Sequence, residues 1–407
     1  MRVLFVTWAW PSHLYAMVPL ARACRATGHE VLVASQPALR EHIRQTGLPG
    51  AGVGEDVDTV AMVRGYLLPL TAAGGADTTA AGGANTTTAA STGRGPRVLQ
   101  MFLAHAASMV DDLVRQARSW MPDVVVFEPT ALAGPVAAAA LGVPAVRHLY
   151  GVDLLYRARA RLGELLAPLA RRHGVSRLDP LGAATIDPVP RRIRLPVEYA
   201  QHLPMRYVPF NGPGASPAAS ATSQGPVRPQ RPRVCVTWGT TMARLDPARF
   251  LAGQVTRALQ DLDVEIVAAL TADQRPMLGP VGNRTRIVEG VPLHLTLPGC
   301  DLVVAHGGAG SMLTALCAGL PQLLIPQLPD HAAHAAALAA AGAGMVLPSA
   351  EATPPRLRTE VLRLLHGEQE RAVARRLQRE MQQLPPPAAV VAELERISRR
   401  TGRPVPA

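Results

Sequence analysis

The sequence contains no lysine, so all 41 of its basic residues are arginines, and with 30 acidic residues the formal net charge is +11. A net positive charge of this size often indicates that a protein binds nucleic acid or an anionic membrane surface. Here the arginines lie in scattered pairs such as Arg171 with Arg172, and aromatic residues, only 4% of the chain, do not alternate with them. We therefore interpret the charge as a composition bias and predict no nucleic acid and no membrane among the partners.

Cysteine is also scarce, and the four present show neither a CxxC spacing nor a cysteine–histidine ligand spacing: Cys24, Cys235, Cys300 and Cys317. This argues against a disulfide framework and against a zinc site. The apolar run in MRVLFVTWAWP is too short for a signal peptide, and the longest stretch of low charge, residues 129–146, is too short to span a bilayer. We expect a cytoplasmic protein.

What the sequence does contain is the alternation of buried strands and helices that is typical of α/β proteins, and it contains it twice. A strand over residues 3–7, a helix from about Ala16 to Gly28 and a strand over 30–36 form the first unit, and the pattern restarts at VCVTWG, residues 234–239. A chain of 407 residues is also too long for a single hydrophobic core, so two domains are expected. Each half is predicted to be a doubly wound, Rossmann-like domain.

Composition sets the expected boundaries. We predict a first domain over residues 1–210, a linker rich in proline, serine and alanine over 211–232, a second domain over 233–385, and a C-terminal helix and tail over 386–407. Residues 71–95 consist almost wholly of alanine, glycine and threonine, which predicts a mobile surface loop. Ligands of such folds bind beyond the carboxyl ends of the strands, so the cleft between the domains is the expected site.

The most informative segment is LVVAHGGAGS, residues 302–311, which reads as a strand, a histidine, a glycine-rich turn and a helix start. A helix N-terminus attracts anions, Gly307, Gly308 and Gly310 let an anion approach the backbone, and His306 adds a donor. The turn is not a P-loop, because no lysine follows it, and its glycine spacing does not fit the dinucleotide fingerprint. An ordinary strand-to-helix turn is the alternative to a diphosphate site.

Four segments together carry a family resemblance: RVLFVTWAWPSHLYAMVPLARACRATGHEV, PTALAGPVAAAALGVPAVRHLYG, VCVTWGTT, and the block that begins VEGVPLHLTLPGCDLVVAHGGAGS. The chain resembles the GT-B nucleotide-sugar glycosyltransferases of the bacterial natural-product branch, which modify polyketide-type antibiotics. The resemblance implies two Rossmann-like domains facing each other across a cleft. It also implies inverting, metal-independent transfer of a deoxysugar from an NDP-sugar, dTDP-linked by expectation, to a hydrophobic aglycone. No cofactor is expected, and a homodimer is left open.

The resemblance assigns roles to residues of the second half. The HGGAG turn would hold the donor diphosphate through His306, Gly308, Ala309, Gly310 and Ser311, and the base would lie against Val291 and Leu293. Asp330 and His331 occupy the place where the family commonly carries an Asp–Gln pair for the donor sugar, so His331 is a departure. Thr240 and Thr241 follow another strand and are expected either on the phosphate or as a helix N-cap. The DxD at Asp261 and Asp263 lies at the wrong end of its strand for the cleft, so no metal is expected.

The resemblance likewise makes His13, in the loop after the first strand, the base that deprotonates the acceptor. Glu128, at the end of a neighbouring strand, is the candidate carboxylate that orients it. The alternatives are a histidine packed on Trp8 or Trp10 and a glutamate that caps a helix. Trp8, Trp10, Ser12 and Tyr15 are expected to contact the aglycone. Two rival functions remain at this point, an epimerase on the same fold and a non-catalytic partner that activates a glycosyltransferase.

Overall fold

The computed structural model describes residues 1–67, 95–214 and 231–400. The predicted mobile loop over 71–95 lies, apart from its last residue, outside these ranges, as do most of the predicted linker and the last seven residues of the tail. None of the described helices is long and apolar enough to cross a membrane.

The first half is built on a parallel sheet of seven strands in the order β3-β2-β1-β4-β5-β6-β7. Valine, leucine and phenylalanine fill the central strands, which are buried on both faces as parallel strands require. The strands are β1 Arg2–Val6, β2 Glu30–Ser35, β3 Gly50–Gly52, β4 Val124–Phe127, β5 Ala145–His148, β6 Ala184–Asp187 and β7 His202–Pro204. The helices that cover them are α1 Pro11–Ala26, α2 Arg40–Gln45, α3 Thr59–Leu67, α4 Gly95–Trp120, α5 Ala133–Leu141 and α6 Arg159–Arg172.

The second half repeats the plan with six parallel strands in the order β10-β9-β8-β11-β12-β13. They are β8 Arg233–Thr237, β9 Glu265–Leu270, β10 Thr285–Glu289, β11 Leu302–Ala305, β12 Gln322–Leu324 and β13 Gly344–Val346. The helices are α7 Met242–Leu245, α8 Ala252–Leu259, α9 Arg275–Leu278, α10 Leu293–Thr296, α11 Ala309–Cys317, α12 Pro329–Ala340, α13 Pro354–His366 and α14 Glu368–Gln383. In both sheets the order reverses beside the first strand, at β1/β4 and at β8/β11, and such switch points are where doubly wound folds bind ligands.

The first helix corrects the sequence-based boundary. It begins at Pro11, not near Ala16, so His13 and Tyr15 lie in its first turns rather than in a loop. Proline at the first helical position costs no hydrogen bond, since that N–H has no helical partner in any case, and its fixed φ favours the helix. His13, predicted in a loop, is therefore held on a rigid element.

The last described helix packs against the first half of the chain. Helix α15, Pro387–Arg400, begins at the last of three consecutive prolines. It buries Val390, Val391, Leu394 and Ile397 in the same core as the first strand and α1. His29 Nε2 lies 2.9 Å from a carboxylate oxygen of Glu395 in this helix. The C-terminal helix therefore fastens the second half of the chain to the first sheet.

Candidate active site

One cavity of about 790 Å³ lies between the two halves, at the carboxyl ends of both sets of strands. It gathers nearly all the residues that the sequence predicted for the site: Trp8, Trp10, Ser12, His13, Tyr15, Thr240, Thr241, Val291, Leu293, His306, Gly308, Ala309, Gly310, Ser311, Asp330 and His331. Glu128 is fully buried directly behind the cavity wall.

The N-terminus of α11 forms the polar floor of the cavity. Gly308 is the N-cap, and the first helical hydrogen bond of this turn runs from the Met312 N–H to the Gly308 carbonyl, at 3.0 Å. The N–H groups of residues 309–311 therefore have no helical acceptor, as at every helix start, and all three residues line the cavity. Such a terminus carries about half a positive charge, which suits a phosphate.

Gly239 and Gly308 leave space beside the ring of His306, because neither has a side chain. A Cβ atom at Gly308 would lie 2.5 Å from His306 Nε2, and one at Gly239 would lie 3.0 Å from the same atom. Gly239 also has a φ of +59°, which other residues rarely adopt. Burial, together with the nearby His331, lowers the pKa of His306 well below its ordinary value, so the ring is neutral near pH 7. It can donate one hydrogen bond from Nε2 into the cavity.

Asp330 lies in the first turn of α12, near the imidazole rings of His331 and His334. The ring of His331 contacts that of His306 edge to face at 4.8 Å, and His331 Nε2 lies 4.0 Å from Asp330 Oδ2. Burial raises the pKa of Asp330, but the imidazoles of His331 and His334 outweigh that effect and the net direction is downward. Burial lowers the pKa of both histidines. Near neutral pH the group therefore presents one carboxylate and uncharged rings.

None of the described arginines lines the cavity, although the chain has 41 of them. The lining side chains that can carry charge are the carboxylate of Asp330 and the rings of His13, His42, His306 and His331. An anion in this cavity would be held by backbone N–H groups, hydroxyls and imidazole rather than by a guanidinium fork. Thr240, and Thr241 at the N-cap of α7, line the same part of the cavity, and the Thr241 side chain makes no capping hydrogen bond.

Val291 and Leu293 follow β10. Both line the cavity, together with Gly290 and Pro292. Asn211, the first residue of the predicted linker, joins α10 to α11, because its side-chain oxygen accepts from the His294 N–H at 3.0 Å and its amide donates to the Thr314 hydroxyl at 3.0 Å.

The opposite wall of the cavity is apolar and aromatic. The indole rings of Trp8 and Trp10 are stacked with centroids 5.1 Å apart and planes 3° from parallel. Helix α4 adds Met101 and Phe102 to the lining. Tyr15 also lies here, and its hydroxyl is 3.0 Å from His42 Nδ1. This wall suits a large, flat, hydrophobic ligand.

His13 lies where the polar floor and the aromatic wall meet. Its Nδ1 accepts a hydrogen bond from the indole N–H of Trp8 at 2.9 Å and lies 3.3 Å from Glu128 Oε2. Its ring is stacked on that of Tyr150, with centroids 4.0 Å apart. Both sequence-based alternatives for His13 are thus present in the geometry, contact with Trp8 and proximity to Glu128.

The carboxylate of Glu128 is anchored by Thr130. The Thr130 N–H donates to Glu128 Oε2 at 2.8 Å, and its hydroxyl lies 2.8 Å from both carboxylate oxygens. These bonds fix the buried carboxylate beside the His13 ring, as a buried charge requires.

Sequence reasoning missed Thr130 and Tyr150. Thr130 follows Glu128 by two residues, so a threonine close after a strand-end glutamate was an available signal. Tyr150 is 137 positions from His13 in the numbering, and nothing local marks it as a partner of that ring.

The DxD segment lies away from the cavity. Asp263 pairs with Arg231 and Arg284, and Asp261 pairs with Arg358, all near the molecular surface. Within residues 1–67, 95–214 and 231–400, no three histidine, cysteine or acidic side chains are grouped as metal ligands would be.

Comparison with known proteins gives consistent results over the whole chain. Models of the erythromycin biosynthesis protein CIII-like family match residues 22–239, as the N-terminal domain, and 253–397, as the C-terminal domain. The 10-deoxymethynolide desosaminyltransferase of Streptomyces venezuelae is 37% identical over 99% of this chain and 99% of its own length. The aklavinone 7-beta-L-rhodosaminyltransferase of Streptomyces galilaeus is 38% identical over 98% and 96%.

Among solved structures, glycosyltransferase VinC in complex with dTDP superimposes with a TM-score of 0.79 at 33% identity, over 98% of this chain and all of VinC. This likeness, which extends over both sheets, confirms the GT-B fold predicted from the sequence.

Proposed function

The chain belongs to the erythromycin biosynthesis protein CIII-like glycosyltransferases, and from that premise we propose that it transfers a deoxysugar from a dTDP-sugar to a hydroxyl of a polyketide-type aglycone. The observation that carries the proposal is one cavity that joins the unpaired N–H groups of a helix start to an aromatic wall, with a histidine at their junction. Membership of an enzyme family leaves the non-catalytic activator and epimerase alternatives without support.

The donor is proposed to bind along the floor of the cavity. Its diphosphate would meet the N–H groups at the start of α11 and the Nε2 of His306, in the space that Gly239 and Gly308 leave open. Val291 and Leu293 would contact the base, and Asp330 and His331 the sugar. The choice of dTDP is supported by the dTDP complex of VinC, whose fold this chain shares.

We propose a direct displacement at the anomeric carbon, with inversion. His13 takes the proton of the attacking hydroxyl, the new C–O bond forms, and the bond to the diphosphate oxygen breaks. The negative charge that develops on the leaving diphosphate faces the start of α11 and the His306 side chain, which stabilise it electrostatically. Buried Glu128 stabilises the imidazolium that forms on His13.

Binding of dTDP alone tests the donor half without any knowledge of the aglycone. A ligand at one hundred times its Kd adds about 2.7 kcal/mol to stability, so dTDP should raise the melting temperature clearly. His306→Ala should weaken dTDP binding by about 10- to 100-fold, because one hydrogen bond to a charged group is lost in a sheltered cavity.

Calorimetric titration measures both Kd values. His366→Ala is the matched control, because His366 is exposed at the end of α13 and does not line the cavity. Unchanged affinity in the His306 variant, or no stabilisation by dTDP at any concentration, would contradict the donor assignment.

We also propose that transfer needs no metal ion. Helix start, hydroxyls and imidazole supply the electrostatic stabilisation that a cation would otherwise provide. Both dTDP binding and transfer should therefore persist in excess EDTA. A loss of transfer on chelation that magnesium restores would refute a metal-free mechanism.

A further inference from the structure

The Nδ1 atom of His13 has more polar neighbours than one nitrogen can satisfy. The indole Nε1 of Trp8 lies 2.9 Å away, while Glu128 Oε2 and the Thr130 hydroxyl each lie 3.3 Å away. The His13 side chain is 11% exposed and that of Glu128 is fully buried, so water does not relieve the competition.

The neighbours make opposite demands on this nitrogen. An indole N–H can only donate, so its contact requires Nδ1 to be bare. The Glu128 carboxylate can only accept. The Thr130 hydroxyl has committed its hydrogen to Glu128, at 2.8 Å, so it also offers a lone pair to Nδ1. Trp8 therefore favours a proton on Nε2, whereas Glu128 and Thr130 favour one on Nδ1.

The distances decide which demand is met. The Trp8 contact has the length of a good N–H donor bond, and the two acceptors are several tenths of an ångström farther away. Glu128 already accepts two bonds from Thr130, so it does not depend on His13 for satisfaction. The ring consequently carries its proton on Nε2.

We propose that Trp8 is a positioning residue that sets the tautomer of His13 and holds the free enzyme in a form that cannot act as a base. This inference rests on the proposed role of His13. A neutral imidazole with its proton on Nε2 has no lone pair on that atom for an acceptor hydroxyl. Activation moves the ring proton from Nε2 to Nδ1 through solvent, with no change in net charge. The Trp8 N–H then loses Nδ1 as its acceptor, while Glu128 and Thr130 accept a hydrogen bond from Nδ1–H.

The aromatic wall couples this change to the acceptor. Trp8 is 3% exposed and lines the cavity together with Trp10, on which it stacks, so an aglycone placed against Trp10 pushes on the indole whose N–H holds Nδ1. Acceptor binding then shifts the indole and releases the base. Before an acceptor arrives, the Nε2–H form keeps His13 from activating water against the donor.

The test reads the tautomer directly by ¹⁵N NMR of histidine-labelled, ligand-free protein at about pH 8, above the ordinary histidine pKa. Protonated and bare ring nitrogens have well-separated ¹⁵N shifts, and a His13→Gln sample identifies the His13 signals. We expect Nε2 to be protonated and Nδ1 bare in the wild type, and the reverse in Trp8→Phe. Trp10→Phe, the control, removes part of the same stack but no donor to His13, and should keep the wild-type tautomer.

A protonated Nδ1 in the wild type overturns the proposal, as does a Trp8→Phe protein, folded by its melting curve, whose Nδ1 stays bare. If Trp8→Phe does not fold, the wild-type spectrum alone decides. The measurement uses no sugar donor and no aglycone, so a failure of the proposed function in transfer assays leaves this result intact. An Nδ1-protonated wild type that transfers sugar would remove only the tautomer control.

Discussion

His13→Gln is expected to lower turnover by about 10²- to 10⁴-fold while leaving the Kd for dTDP within about twofold of the wild-type value. General-base catalysis accounts for a factor of that size, and His13 makes its contacts with the aromatic wall and Glu128 rather than with the start of α11. Glutamine keeps the approximate size of the ring and one polar group, so packing against Tyr150 is disturbed less than by alanine.

Steady-state kinetics with an aglycone found by screening, together with dTDP titration, separates the two quantities. His173→Gln is the control, because His173 pairs with Asp111 and does not line the cavity. A His13 variant with near-normal turnover on a hydroxyl acceptor would remove His13 as the base, and equal losses in turnover and dTDP affinity would indicate a structural defect.

The parts of the site that follow directly from a buried strand were predictable. Strand β1 and strand β11 read as continuous apolar runs because both of their faces are covered, and the residues just after each run, such as His306, fall at the carboxyl edge of the sheet. The turn after β11 also contains three glycines, Gly307, Gly308 and Gly310, which mark it in the sequence. Position along the chain was therefore enough to place these residues in the cleft.

Contacts between distant segments were not predictable from one sequence. The stacking of Tyr150 on His13 and the contact between His29 and Glu395 join residues far apart in the chain, and no local pattern encodes them. The short strands β6 and β7 were missed for a related reason. They contain threonine, aspartate, histidine and proline among few apolar residues. Strand β6 pairs with the edge of β5, and β7 pairs with β6.

A buried ion pair holds the loop that carries Tyr150. Arg147 and Asp153 form a buried ion pair with 2.5 Å between nitrogen and oxygen, and their side chains are 1% and 2% exposed. The loop between them carries Tyr150, which stacks on His13, and Gly151, where a Cβ atom would lie 2.8 Å from His334 Nε2. Asp153 also accepts from the Tyr199 hydroxyl at 3.1 Å.

Asp153→Asn is expected to lower the free energy of unfolding by about 3 to 5 kcal/mol, because it leaves the buried guanidinium of Arg147 without a counter-charge. The double variant Arg147→Met/Asp153→Asn carries no buried charge at this position and keeps an oxygen for Tyr199, so it should be more stable than Asp153→Asn alone. Denaturant titration of the three proteins measures the difference. Glu164→Gln, which breaks the exposed pair with Arg161, is the control and should cost less than about 1 kcal/mol. A double variant no more stable than Asp153→Asn would contradict this explanation, because the unpaired guanidinium of Arg147 would then not be the source of the loss that loosens the Tyr150 loop.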